Sequence, residues 1–188
     1  MIASGVSNDF RRRYYLLLYC CLLIIVCKSS SVTAEPHTIN ALKVAYLYNI
    51  AKFTRWPATT WNREDEPFQF CFYEESGLLD ELPMLQKKMI NGHPIRLLKT
   101  DNELDVQRCN ALYIQTNKRR RYRYLLSLID PQRVLVIADD SPFFEYGGLI
   151  NLVKQGQRLR FQVNKQQLTK SQLILSSKLL KLALLIDN

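Results

Sequence analysis

Reactive side chains are sparse in this 188-residue chain. It holds two histidines, His37 and His93, and five cysteines, Cys20, Cys21, Cys27, Cys71 and Cys109. A protein metal site needs several such ligands together, usually with two of them a few residues apart. Neither histidine has another histidine or a cysteine at that spacing. Each is therefore expected to be structural or solvent-exposed, and no metal or cofactor is expected. A serine hydrolase would carry a Gly-x-Ser-x-Gly turn and a nucleotide-binding protein a phosphate loop; the sequence contains neither. Asp139-Asp140 follow an apolar run that reads as a parallel strand, the place where α/β folds gather ligand groups. With Gly147 and Gly148 they form a candidate ligand loop. The plainer expectation is loop or helix-capping carboxylates, and glycines used for a tight turn or close packing. A nucleophile with its base, or two converging carboxylates, cannot be assembled. The chain is expected not to be an enzyme, and no catalytic residue is assigned.

The densest run of charge is basic: Lys118, Arg119, Arg120, Arg121 and Arg123. Such a run is either a solvated helix face or a contact for anionic headgroups or an acidic partner. The whole chain carries a formal charge of +9.

The first 34 residues read as an export signal. Arg11, Arg12 and Arg13 precede an uncharged apolar run, Tyr14 to Cys27, and Val32 and Ala34 stand where signal peptidase reads small or aliphatic residues. Cleavage is expected after Ala34, leaving one domain over residues 35–188. The alternative is an uncleaved membrane anchor, but the run has 14 residues and a spanning helix needs about 20. No cysteine follows a small residue as lipidation would require. The leader takes four of the 26 basic residues and one of the 17 acidic ones, so the mature chain stands at +6. That charge suits an anionic surface or solubility alone; nucleic acid is not an expected partner of an exported protein. Cys71 and Cys109 remain. In an oxidising compartment they form either one disulfide or two separate buried thiols; both border predicted strands that could be neighbours.

The mature chain alternates helices and strands. Residues 37–56 read as a helix capped by Thr38 or Asn40, with Leu42, Ala45, Tyr46, Asn49, Ile50, Phe53 and Trp56 on one stripe. Val44, Leu47, Tyr48 and Ala51 make its other side apolar too. Strands are expected at Phe68–Tyr73, Ile95–Leu98, Ala111–Ile114, Val134–Ala138, Leu149–Val153 and around Leu159, Phe161 and Val163. Asn91-Gly92 and Gln155-Gly156 read as turns. Helices are expected over 76–85, 101–107, 118–129 and 165–186. This order implies a three-layer α/β domain: a mainly parallel sheet with an antiparallel C-terminal hairpin, flanked by helices.

An ordered set of segments resembles the YfiR-like family of bacterial periplasmic proteins. It begins with A-L-K-V-A-Y-L-Y-N-I-A-K-F-T-R-W-P (Ala41 to Pro57) and the aromatic strand containing Cys71. It continues through Ile90-Asn91-Gly92-His93-Pro94-Ile95 and Arg108-Cys109-Asn110-Ala111-Leu112-Tyr113-Ile114. Val134 to Asp139, Gly147 to Leu152, Phe161 to Asn164 and Leu175 to Ala183 complete it. The resemblance implies a dimeric periplasmic repressor. Such a protein binds the sensor domain of an inner-membrane diguanylate cyclase and thereby limits cyclic di-GMP and biofilm. It also implies a bridge between the cysteines corresponding to Cys71 and Cys109. Some members carry a second cysteine pair near the Gly-Gly segment; here Phe144, Tyr146 and Leu152 occupy that neighbourhood.

A binding regulator needs exposed apolar surface. The first and last helices carry more of it than one sheet face would cover. The candidate partner or dimer contacts are Tyr46, Ile50 and Phe53, or Leu179, Leu182 and Ile186. The alternative function is a periplasmic small-ligand sensor that feeds another membrane receptor, such as a histidine kinase, through a pocket near Asp139, Asp140 and Gly147.

Overall fold

The computed structural model describes Arg13 and residues 39–73, 77–139, 141–142, 144–156 and 158–187. The expected leader, its cleavage point, Thr38, His37 and Asp140 lie outside the described residues. The chain divides into two compact units, Met1–Pro36 and His37–Asn188; the second holds every element below. Among the described residues no helix is long and apolar enough to cross a membrane.

Among the described residues ten strands form: β1 (Thr54–Arg55), β2 (Phe68–Tyr73), β3 (Met89–Ile90), β4 (His93–Thr100), β5 (Ala111–Ile114), β6 (Leu135–Asp139), β7 (Ile150–Gln155), β8 (Arg158–Asn164), β9 (Ile174–Leu175) and β10 (Leu184–Ile186). Eight of them make one sheet in the order β10-β8-β7-β6-β5-β2-β4-β3. Its centre, from β4 through β2, β5 and β6 to β7, is parallel. The β7–β8 hairpin is antiparallel, as expected. It does not end the sheet, because β10 adds a parallel strand outside β8. At the other edge Asn91 and Gly92 take φ of 50° and 87°, the paired left-handed geometry of a tight hairpin turn, and join β3 to β4.

The helices are α1 (Ile39–Lys52), α2 (Arg119–Ser127), α3 (Lys165–Lys170) and α4 (Ser177–Leu180). Both sheet faces are covered. Phe68, Phe70 and Phe72 join α1's Val44, Leu47 and Ile50 in one cluster, while the alternating Cys71 and Tyr73 join α2's Tyr122 and Leu125 in the other. A strand buried on both faces has no polar face to show, which is why β2 reads as an unbroken aromatic run. The expected three-layer α/β architecture is the one observed.

Two helices differ from expectation. The first ends at Lys52 rather than Trp56. Thr54 Oγ1 donates to the Ile50 carbonyl (2.7 Å), and Thr54 and Arg55 pair with β9 instead of continuing the helix. Its core side draws on both apolar sides: Val44, Leu47 and Ala51 are buried together with Ile50 of the stripe named above, while Leu42 and Phe53 of that stripe are 38% and 41% exposed. The expected helix over 165–186 is four elements. Ser171 stops α3, its N–H donating to the Gln167 and Leu168 carbonyls. Leu173 and Leu175 are buried and Ile174 is exposed, a period of two that sets β9 against β1. Ser176 then caps α4, its Oγ accepting from the Leu179 N–H (3.2 Å). The short helices expected at 76–85 and 101–107 are single 3₁₀ stretches, Leu82–Leu85 and Glu103–Arg108.

Candidate functional site

Helix α1, β8 and the segment around α4 enclose a groove of about 430 Å³, whose lining includes the buried Ile50, Phe161 and Leu179. Tyr46, Ile50 and Phe53 line it from α1 and its end, Phe161 from β8, and Leu179 and Leu182 from the C-terminal segment. The geometry is fixed from below. Tyr46 Oη donates to the Leu159 carbonyl (3.0 Å), and its ring meets Phe161 edge-on at 6.2 Å. The Ser176 cap sets where α4 begins, and so aims Leu179 inward and leaves Leu182 66% exposed. Arg160 and Lys178 add positive charge to the lining, and no acidic side chain contributes. The Arg160 Nε is buried without a partner in the described residues. An apolar cleft with two cations suits an aromatic or aliphatic anchor flanked by acidic groups.

Five of the six candidate contact residues, from two segments some 130 positions apart in sequence, line this one groove. Ile186 does not: it lies on β10, half-buried against the cluster on the opposite sheet face. In sequence the two triads stand as alternatives, because neither periodicity nor composition tells which helices are neighbours. Phe161, whose alternation on a half-buried strand marks it only as core, and Arg160 carry no sequence signal of the groove.

Asp139, Gly147 and Gly148 of the candidate ligand loop are engaged inside the fold. Asp139 ends β6 with its side chain 3% exposed, and Lys43 Nζ of α1 lies 2.6 Å from its Oδ2. Tyr113 Oη donates to the same oxygen at 2.6 Å. Burial, and then the neighbouring carboxylate, push the Tyr113 phenol far above its ordinary pKa. Asn151 secures the loop, its Oδ1 accepting from the Ser141 N–H (3.1 Å) and its Nδ2 donating to Gln162 Oε1 (3.0 Å). Gly147 takes φ +132°, and any Cβ at Gly148 would collide with the Tyr122 hydroxyl. These two glycines are there for backbone geometry and close packing, the plainer of the two expectations. A lysine among mostly apolar neighbours was the available signal for Lys43; nothing in the linear pattern joined it to Asp139, 96 residues away.

The remaining candidates have structural surroundings. His93 stacks on Trp61 at 4.0 Å and its Nδ1 lies 2.6 Å from the Glu66 carbonyl. Cys71 and Cys109 are bridged, with Cα atoms 5.8 Å apart, tying β2 to the residues that enter β5. The 3₁₀ turn before Cys109 is held by Asn102, which caps Leu104 (3.1 Å), and by Asp105. The Thr100 hydroxyl, assisted by Arg108, holds the Asp105 carboxyl below the usual carboxylate range. Among the described residues no three His, Cys, Asp or Glu side chains gather as metal ligands would.

A family model described as YfiR/HmsC-like matches residues 40–184, from α1 to the first residue of β10, and so spans both walls of the groove. No curated protein matches the chain.

Proposed function

The chain belongs to the YfiR/HmsC-like family, and from that membership we propose that it is a periplasmic regulator. In this reading it is exported by a cleaved signal peptide, binds the periplasmic part of an inner-membrane diguanylate cyclase and holds it inactive. Cyclic di-GMP and biofilm formation are thereby kept low. The observation that carries the reading is the apolar groove between α1 and the C-terminal segment, where Phe53 and Leu182 stand 41% and 66% exposed. Large apolar side chains gathered in an open cleft are a binding feature rather than a catalytic one. In this reading the groove is the contact for the cyclase. The small-ligand sensor has less support, since Asp139 and Gly148 are taken up by Lys43, Tyr113 and Tyr122 within the fold.

Photo-crosslinking in cells tests the assignment. A crosslinking residue at Leu182 is expected to capture an inner-membrane protein with diguanylate cyclase activity. One at Met89, also exposed but on β3, is expected not to. Capture only of a second copy from Leu182 would give the groove to the dimer instead, and equal capture from both positions would remove it as a specific site.

A further inference from the structure

Helix α2 carries its cations at the electrostatically unfavourable end. Lys118 precedes it, Arg119, Arg120 and Arg121 fill its first turn, and no acidic residue stands there. The N-terminus of a helix already bears partial positive charge, so cations at that end destabilise it, and neighbouring cations repel one another. The fold relieves this strain at Arg121, which lies 3.8 Å from Glu103. Lys118, Arg119, Arg120 and Arg123 are exposed, and among the described residues none of these four is paired with a carboxylate.

Aromatic side chains are interleaved with this charge. Tyr146, 41% exposed, lies against the guanidinium groups of Arg119 and Arg123, 6.0 and 5.8 Å from its ring centre. Tyr124 is 47% exposed. Arg119, Arg120 and Tyr124 border two shallow depressions, of about 580 and 360 Å³. The face is open rather than cleft-like, and it lies over the sheet face opposite α1 and the groove.

We propose that this face docks the protein on an anionic phospholipid surface. Guanidinium forks match phosphate oxygens, and exposed tyrosines settle at headgroup depth. A broad face with unanswered positive charge complements a plane of negative charge better than it does a shaped peptide. The proposal goes beyond the cyclase reading and does not need it: docking through α2 leaves the groove uncovered.

Sedimentation of the purified protein with vesicles tests it. Phosphatidylglycerol mixed with phosphatidylcholine is expected to carry the protein down at low salt, and phosphatidylcholine alone is not. Each basic residue near such a surface contributes about fivefold in partitioning. The variant R119Q/R120Q/R123Q is therefore expected to lose about a hundredfold. Its thermal midpoint should change little, because loss of the contacts of Arg119 and Arg123 with Tyr146 is offset by removing Arg119 and Arg120 from the positive end of the helix. A charge-matched control, K99Q/K154Q/K170Q, alters exposed lysines on other elements and is expected to bind nearly as the parent does. Equal loss in both variants would reduce the effect to net charge and overturn the site. So would failure to bind phosphatidylglycerol, or binding to polyglutamate in place of vesicles, which would point to an acidic protein partner.

Discussion

Asp139 is the carboxylate through which α1 is fastened to the sheet. Its side chain is nearly sealed, whereas that of Lys43 is 18% exposed, so the two halves of the pair are not equivalent. Lys43→Met leaves a charge buried against Tyr113 alone and is expected to cost about 3 kcal/mol. Asp139→Asn leaves a lysine that can still reach water and is expected to cost less, about 1–2 kcal/mol. Urea denaturation of both variants checks the order, and a larger loss for Asp139→Asn would contradict it. Two buried phenols set the alkaline limit. Burial first, and then Asp139, raise the pKa of Tyr113; burial raises that of Tyr122; the ordinary value is 10.0 for each. Above that pH the unfolded chain loses phenolic protons that the folded protein retains. Their contribution is therefore complete below pH 10 and lost as pH rises beyond it, by about 1.4 kcal/mol per pH unit for each tyrosine. Urea melts across the alkaline range should show this decline, and Tyr113→Phe should halve the slope due to the pair. At this scale the sequence was readable where chemistry is local. The cysteines were legible because two thiols bordered predicted neighbouring strands. Asp139 was legible as a strand-end acid, but its partners were not, because nothing in a linear pattern places residue 43 beside residue 139.

At the scale of elements the parallel strands were legible, because strands buried on both faces have to be apolar throughout. The C-terminal region was not. The run from Leu179 to Ile186 has the composition of a helix, and intrinsic helix propensity differs among such residues by only tenths of a kcal/mol. Pairing of β9 with β1 and of β10 with β8 outweighs that preference, and the serine caps decide where the breaks fall. Ser176 matters most, because it starts α4 and thereby positions Leu179 and Leu182 on the groove. Ser176→Ala is expected to cost about 1 kcal/mol, read as a lower urea midpoint with an unchanged denaturant slope. No change in midpoint would mean that the cap does not set the C-terminal wall. The rotation of α1 has a similar origin. Both sides are apolar, so the hydrophobic pattern alone left its rotation undetermined. The contact with the sheet selects Val44, Leu47, Ile50 and Ala51, and Leu42 is left on the surface.

The whole molecule presents two unlike surfaces over opposite sheet faces: an apolar groove at α1 and a cationic face at α2. The disulfide holds the strands between them, closing a loop across 38 positions, which the chain-entropy model values at about 4 kcal/mol. Fold class and family were legible from the ordered motifs, because these sit on the central strands and on α1, where packing restricts residue choice. That the two contact triads share one groove was not, since it depends on where the C-terminal segment crosses α1. Repression of a membrane diguanylate cyclase, as proposed above, is read out by cellular cyclic di-GMP. The level should be measured in a strain lacking this protein, beside its parent, under conditions in which the parent expresses it. A clear rise is expected on deletion, reversed by the wild-type gene but not by Leu182→Glu present at equal abundance. An unchanged level on deletion would contradict the proposed repression.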